Sequence, residues 1–526
     1  MATQTHESAP LSSRLAALSA AMLAAIPAAA CCADLGSDID GLVRGSGLPR
    51  SAVSVAVVEV ATGRLVASSD ATRPMAPASN MKVLTTGAAL EAFGPDFHFR
   101  TRLARSETPA GVRLTIVGDG DPAFGDPEVL AASSLTDASG QVRASVNADL
   151  LLDHWVDAVA RSGDARIAEL VVDARIFDSQ AYHPRWPQDQ FGEDYCAEVW
   201  GLNYHLNTVH VMPAPSRGGP AVVEWMSPRY DWIITKNTSS SSAGGKSKGA
   251  SSFWISRNPG SNELVLGGRS TKRPGQPLDL TVTQTPSLAG ELLARRLRDR
   301  GIEVGAVRSA QAGDAAPSDR TVGPVIQTPM SIALNRANTD SSNLYAESLL
   351  KRLGAFRANS GSTTPSPTFV AGSWSNGAEA LARSVQARLG DAAPSGWVFS
   401  DGSGLSRDNR VSAEGLARWI RSFAVDPRLR AVYFDSFAVA GRSGTVKNRF
   451  KELAGLDVTV QCKTGYIRGV SCLTGLVTGP DGTAYAFSVL GNNLEAGSRV
   501  AQAKTLQERI VGRVAEEAGA SRRKRT

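Results

Sequence analysis

Cysteine and histidine are both scarce in this chain of 526 residues, with five and six residues respectively. No two cysteines have the C-x-x-C spacing of a metal or redox site. All six histidines precede residue 211, which is unfavourable for histidine-based catalysis at the motifs that occur later in the chain. Any acid–base chemistry at those motifs needs another type of side chain.

Long apolar runs are missing after the N-terminus, where no stretch approaches the ~18 apolar residues of a membrane-spanning helix. The apolar run 15–28 follows Arg14 and ends in the small residues Ala28-Ala29-Ala30. Positive, apolar and small-residue segments in that order are typical of a secretory signal peptide. We predict a signal peptide over 1–30 and an exported, periplasmic protein. Cys31 follows directly, so a lipid anchor at Cys31 is an alternative.

A strong charge of one sign is also lacking. The formal net charge is +6, and four basic residues stand together at 522–525 (RRKR). The other basic residues are scattered, which argues against a nucleic-acid partner. A basic tail of this kind is usually solvated, and its charge suits weak contact with a membrane or an anionic wall polymer.

The chain is long enough for two or three domains. Its hydrophobic residues make up 42% of the sequence, which is typical of a globular protein. Alternating apolar residues predict a hairpin from 52–60 and 65–67, followed by a helix over 79–93 that stops at Gly94-Pro95. We place Leu84, Ala88 and Leu90 on the apolar side of this helix. Short strands such as 112–117 and 169–173 fill the middle of the chain, and 306–320 resembles a hinge.

Three short motifs occur in order along the chain: Ser79-Asn80-Met81-Lys82, Ser341-Ser342-Asn343 and Lys463-Thr464-Gly465. A serine hydroxyl needs a base to become a nucleophile. On a helix, Ser79 and Lys82 have neighbouring side chains, so the lysine amine can take the proton. The amine must be neutral, and we expect burial and the nearby charge of Lys463 to lower its pKa.

The S-x-x-K spacing occurs a second time at Ser348 and Lys351, inside a predicted helix. An interior helical serine lacks the free N–H groups that a helix start offers to an oxyanion. We interpret this second pair as structural.

The three motifs resemble those of penicillin-binding proteins and class A β-lactamases. Four longer segments strengthen the likeness: 77–82 (PASNMK), 118–122 (GDGDP), 401–412 (DGSGLSRDNRVS) and 440–446 (AGRSGTV). With the long insertion between the first two motifs, the sequence resembles the class C low-molecular-mass penicillin-binding proteins, the D-alanyl-D-alanine carboxypeptidase/endopeptidase family.

The resemblance implies a mixed α/β (α+β) fold. A β-lactamase/transpeptidase-like domain, an antiparallel sheet flanked by helices, would comprise 33–96 and 326–526. The insertion 97–325 would hold mostly-β domains, with about 105–182 nested within the rest.

The resemblance also implies an acyl-enzyme formed from a D-alanyl-D-alanine bond of peptidoglycan or from a β-lactam, without metal or cofactor. The residues it implies are the nucleophile Ser79, the base Lys82, the proton relay Ser341, the substrate and Lys82 partner Asn343, the carboxylate-facing wall Lys463, Thr464 and Gly465, and the oxyanion-hole N–H groups of Ser79 and Tyr466.

One position departs from the family pattern: Tyr466 stands where a serine or threonine helps to hold the substrate carboxylate. Arg468 is a candidate substitute. We therefore expect weaker carboxypeptidase action and a larger share of endopeptidase action. Ser342 also stands where aspartate is common.

Three alternatives remain open at the level of sequence. The chain could be a β-lactamase-type hydrolase, or a wall-binding protein without catalysis. Cys462 and Cys472 would face each other across a hairpin that turns near Ile467, so they form either a disulfide or two free buried thiols.

Overall fold

The computed structural model describes residues 34–133, 135–136, 142–143, 147–241, 251–258, 260–359 and 369–524. The predicted signal peptide, Cys31 and the side chains of the basic tail lie outside this description. Within it, no helix combines the length and the apolar character needed to cross a bilayer.

The described helices are α1 (Leu35–Arg44), α2 (Met81–Phe93), α3 (Pro127–Ala131), α4 (Ala148–Arg161), α5 (Thr285–Asp299), α6 (Met330–Asn338), α7 (Asn343–Ala358), α8 (Trp374–Leu389), α9 (Ala413–Ala424), α10 (Arg430–Asp435) and α11 (Arg499–Lys524). The described strands are β1 (Val53–Glu59), β2 (Leu65–Ser69), β3 (His98–Thr108), β4 (Gly111–Val117), β5 (Leu135–Thr136), β6 (Val142–Arg143), β7 (Arg166–Asp173), β8 (Thr208–Ala214), β9 (Val222–Ser227), β10 (Ile234–Asn237), β11 (Ser240–Ser241), β12 (Trp254–Arg257), β13 (Leu264–Gly267), β14 (Arg269–Ser270), β15 (Leu278–Thr281), β16 (Glu303–Ser309), β17 (Ile326–Pro329), β18 (Ala438–Val439), β19 (Thr459–Ile467), β20 (Val470–Thr478) and β21 (Ala484–Gly491).

A six-stranded antiparallel sheet has the order β18-β19-β20-β21-β1-β2, so the predicted hairpin of β1 and β2 is confirmed. The residues of β1 up to Val58 are all buried, as expected for a strand covered on both faces. Val55 and Val57 belong to a core with α1 and α11, whereas Ala56 and Val58 belong to a core with α2, α7 and α9. Helices therefore flank the sheet on both sides, as predicted.

Helix α2 stops at Gly94 and buries Leu84, Ala88 and Leu90, as predicted, but its other sides are buried as well. Every residue from Met81 to Leu90 is buried, because α2 packs among α6, α7, α8 and α9. A helix enclosed on all sides has no solvent face, so its polar residues Lys82, Thr85 and Thr86 point into the protein rather than into water.

A second sheet has the order β16-β7-β4-β3-β17, with its first four strands within 97–325 and β17 directly after that range. It contains the predicted strands 112–117 and 169–173, as β4 and β7. The sequence did not reveal α4 and α5, which accompany the parallel pairs β4–β7 and β7–β16. Parallel neighbours require such crossover connections. The predicted hinge at 306–320 is wrong in its first residues, which belong to β16. The predicted domain boundaries stay a prediction.

The hairpin of β19 and β20 carries two cysteines, and its predicted register is wrong. Cys462 pairs with Gly475, and Cys472 pairs with Gly465. Cys472 thus lies three residues away from the partner of Cys462. Because this number is odd, the two cysteine side chains point to opposite faces of the sheet, into separate cores. Both thiols are free and buried, so the predicted disulfide is excluded and its alternative is confirmed.

Candidate active site

Ser79 and Lys82 meet at the start of α2. Ser79 lies in the 3₁₀ turn Ala78–Asn80, which leads directly into the helix. Lys82 Nζ lies 3.1 Å from Ser79 Oγ. Ala78 has a φ of 47°, an uncommon value for a residue other than glycine. A Cβ on Gly404 would come within 1.8 Å of the Ala78 carbonyl oxygen, so the loop at Gly404 packs directly against this turn.

The amine of Lys82 is enclosed by protein oxygens, and its side chain is 0% exposed. Nζ lies 2.6 Å from Asn343 Oδ1 and donates to the Ser403 carbonyl at 3.0 Å. Burial lowers the pKa of Lys82 to about 7, against the opposing effect of the Glu347 and Asp401 carboxylates. Burial is the largest cause of this shift, and the contribution of the Lys463 charge to it stays a prediction.

The second and third motifs meet beside this pair. Lys463 Nζ lies 2.8 Å from Ser341 Oγ and 3.0 Å from the Thr464 carbonyl oxygen. Ser341 has a φ of 66°, in the left-handed region of the backbone. The turn at Ser79, through Ala78, and the turn at Ser341 therefore both contain left-handed backbone. Burial lowers the pKa of Lys463 well below its usual value, and the charge of Lys82 lowers it further. The structure therefore brings all three motifs into one cluster.

Strand β19 forms one wall of the cluster. A Cβ on Gly465 would come within 2.5 Å of the Pro77 carbonyl oxygen, so glycine permits the strand to lie against the Ser79 turn. Thr464 Oγ1 donates to Thr445 Oγ1 at 2.8 Å. The side chain of Tyr466 is 60% exposed.

The backbone of β19 also faces the cluster. Strand β18 pairs with β19 at Gln461 and Cys462, and the Val460 carbonyl accepts from Ala440 on the same edge. Because backbone groups of alternate residues point to the same edge of a strand, the N–H of Tyr466 lies on this edge. In the described part of the chain, no strand pairs with that edge at Tyr466.

A cleft of about 910 Å³ opens above these residues. It is lined by Ser79, Pro184, Arg185, Trp186, Pro187, Gln190, Tyr195, Ser341, Asn343, Leu405, Arg407, Asp408, Tyr466, Ile467 and Arg468. Sequence reasoning missed its far wall, which residues 184–195 provide. Asn343 Nδ2 donates to the Tyr195 carbonyl at 2.7 Å, and Arg185 pairs with Asp408 at 2.6 Å. No local motif marks this segment, so no signal in the sequence could have found it.

The second S-x-x-K pair lies apart from the cleft. Lys351 Nζ bonds to Asp178 at 2.8 Å and to the Gln180 carbonyl at 2.6 Å, and it lies 3.9 Å from the centre of the Trp374 ring. Its amine thus joins α7 to the inserted segment. In the described residues, no group of three or more metal-binding side chains occurs.

Comparisons with known proteins agree with this geometry. The model of the D-Ala-D-Ala carboxypeptidase 3 (S13) family matches residues 35–516. A D-alanyl-D-alanine carboxypeptidase of an Actinomadura species is 30% identical over 92% of this chain and 85% of its own length. The structure of penicillin binding protein 4 (dacB) from Haemophilus influenzae covers 91% of this chain and 99% of its own, with a TM-score of 0.68 at 20% identity.

The structural likeness confirms the predicted fold class, and the family match confirms the resemblance read from the motifs. The chain belongs to the D-Ala-D-Ala carboxypeptidase 3 (S13) family.

Proposed function

We propose that this protein hydrolyses D-alanyl-D-alanine bonds of peptidoglycan through an acyl-enzyme on Ser79, as a carboxypeptidase on stem peptides and an endopeptidase on cross-links. β-Lactams would acylate the same serine. The observation that carries the proposal is the Lys82 amine, which is buried, lies 3.1 Å from Ser79 Oγ, and has a pKa of about 7. About half of such amines are neutral at neutral pH, as a general base requires.

In the proposed first step, Ser79 Oγ attacks the substrate carbonyl carbon and Lys82 Nζ takes the hydroxyl proton. The C–N bond then breaks, and the proton held by Lys82 passes through Ser341, which lies 2.8 Å from Lys463 Nζ, to the leaving D-alanine amine, so that Lys82 is neutral again. Water hydrolyses the ester in the second step: its hydroxyl goes to the acyl carbon and its proton to Lys82. The Ser79 oxygen leaves the acyl carbon and takes that proton from Lys82, which restores the free enzyme.

The oxyanion would bind the N–H groups of Ser79 and Tyr466. Each such donor is worth about 3 kcal/mol in serine proteases. The edge of β19 that no described strand pairs at Tyr466 and the close contact of Gly465 with the Ser79 turn support this assignment. When the substrate binds, Asn343 Nδ2 would donate its hydrogen bond to a substrate carbonyl instead of the Tyr195 carbonyl.

The substrate carboxylate would face Lys463 and the hydroxyl groups of Thr464 and Thr445, which are already hydrogen-bonded to each other. The exposed ring of Tyr466 offers no hydroxyl next to the backbone, whereas Arg468 lines the cleft. We retain the proposal that Arg468 compensates in part and that the endopeptidase share is raised.

The site belongs to a protein that we propose is exported to the periplasm, because 1–30 have the pattern of a signal peptide. The basic sequence 522–525 would contact anionic lipid or wall polymer weakly. The boundaries 33–96 with 326–526, and 97–325 for the insertion, remain part of the proposal.

Labelling with a fluorescent penicillin tests the proposed function. The native protein should become covalently labelled and Ser79→Ala should not. Ser348→Ala is the matched control, since it removes the serine of the second S-x-x-K pair and should leave labelling intact. Labelling that survives Ser79→Ala would disprove the assignment. The lifetime of the adduct separates the β-lactamase alternative, which requires rapid release.

A further inference from the structure

A buried carboxylate lies directly behind the catalytic lysine, outside all three motifs. Glu347 follows Asn343 by four residues on α7, and its side chain is 0% exposed. Its oxygens accept from the backbone N–H of Gly402 at 2.9 Å, from that of Ser403 at 2.7 Å, and from the Trp374 indole at 2.8 Å. Donors that converge in this way hold a carboxylate in one orientation.

The backbone of Ser403 connects Glu347 to Lys82. Glu347 accepts from the N–H of Ser403, and the carbonyl of Ser403 accepts from Lys82 Nζ at 3.0 Å. Helix α7 also reaches Lys82 directly, through Asn343 Oδ1 at 2.6 Å. One helix therefore fixes the lysine amine by two routes, one of which depends on the Glu347 carboxylate.

The chemistry of the proposed reaction requires two opposite properties of Lys82. It must be neutral to accept the Ser79 proton, and it must then hold that proton as an ammonium in a buried site. Burial favours the first state and strongly disfavours the second. A negative charge next to the amine restores the second state, and a base works best when its pKa lies near the operating pH.

We propose that Glu347 is a positioning residue for acyl transfer, which orients the Ser403 carbonyl on Lys82 and supplies the negative charge that lets the buried amine hold a proton. This inference rests on the proposed function of Ser79 and Lys82. It assigns a role in the reaction to a side chain that does not contact the substrate.

The electrostatics of the surroundings agree with this role. Glu347 raises the pKa of Lys82 against the effect of burial, and its own pKa is raised to about 7 by burial and by Asp401. The other titratable groups that interact with Glu347, Asp401 or Lys82 are Lys351 on α7, Cys196, His183 and Lys463 on β19. Asp401 acts in the same direction as Glu347, so removing one carboxylate should leave part of the effect.

The test is the pH dependence of the penicillin acylation rate in Glu347→Gln. Removing the charge should move the acid midpoint down by at most about one pH unit, the low end of the effect of an opposite charge, because Glu347 with its pKa of about 7 is only partly ionised at the midpoint. Glu347→Asp withdraws the carboxylate by one methylene and should give a smaller shift in the same direction. It also carries the test if the glutamine variant fails to fold.

Glu198→Gln is the matched control. Glu198 is also buried, and it accepts from the Trp200 indole at 2.5 Å and from the backbone N–H of Gln284 at 2.6 Å, but these partners do not contact Lys82. The acid midpoint of acylation in the Glu198→Gln variant should stay at the native value. A folded Glu347 variant that acylates more slowly with an unchanged midpoint would overturn the inference, because a merely structural role predicts that result. Absence of labelling in the native protein would instead reject the proposed function.

Discussion

The pKa of Lys82 makes a quantitative prediction about how acylation depends on pH. With a pKa of about 7, half of the amines are neutral at pH 7, whereas the ordinary value of 10.5 would leave about one in three thousand neutral. If the neutral amine is the base, as we propose, the acylation rate constant should rise about tenfold per pH unit below pH 7 and level off above it.

Acylation should remain active down to neutral pH because the pKa of Lys82 is lowered rather than raised. Burial lowers the pKa of the amine, so the reactive form persists down to pH 7 rather than only above pH 10.5. The second-order rate constant for acylation by a fluorescent penicillin, measured in rapid-mixing experiments from about pH 5 to 9, gives the midpoint. Thermal unfolding at each pH shows whether the fold is intact.

Lys82→Arg is the matched variant for this profile. A guanidinium stays charged at all these pH values, so acylation should fall by about 10²- to 10⁴-fold, the usual contribution of a general base. A native rate that keeps rising to pH 9 would mean an ordinary, solvated lysine. A rate that is flat down to pH 5 would mean that Lys82 is not the base, and either result would refute the reasoning.

Three further predictions concern the hairpin that carries the third motif. Gly465→Ala should reduce acylation by about 100-fold, because its Cβ would force β19 away from the Ser79 turn, whereas Gly41→Ala, which has open space around it, should not change the acylation rate. Tyr466→Thr should raise the rate on a monomeric pentapeptide relative to a cross-linked dimer, since it restores a hydroxyl near the carboxylate; an unchanged ratio would remove Tyr466 as the cause. Alkylation of the unfolded protein followed by mass spectrometry should modify Cys462 and Cys472 equally with and without reductant, and protection that depends on reductant would contradict the register of the strands.

Local spacing explains why much of the site was predictable. Ser79 and Lys82 are one helical turn apart, and each remaining motif carries its functional side chains within three consecutive residues. Side-chain neighbours of this kind follow from helix and strand geometry. The hairpin of β1 and β2 was predictable for the same reason, because apolar alternation is a local signal, whereas the fold class was predicted from the resemblance that the motifs carry.

Features that depend on distant partners were not predictable in this way. The register of β19 and β20 depends on where the turn falls, and a shift of its centre by one or two residues moved Cys472 to the other face of the sheet. The burial of α2 on all sides was not predictable from its own sequence, because the four helices that enclose it lie far along the chain. The crossover helices α4 and α5 accompany parallel strand pairs that no single segment reveals.

The S-x-x-K pairs Ser79–Lys82 and Ser348–Lys351 show how far the spacing itself determines the chemistry. Both lysines are buried, and burial lowers the pKa of each. Lys351 bonds to Asp178 and Gln180, so its amine serves as an ion-pair partner, whereas Lys82 contacts Ser79 and is neutralised by burial against more distant carboxylates. The pair that we propose to be reactive differs from the other in what surrounds it: a cleft above, an edge of β19 that no described strand pairs at Tyr466, and Glu347 behind it. Reactivity is therefore a property of the long-range environment, and the motif identifies only which side chains that environment can act upon.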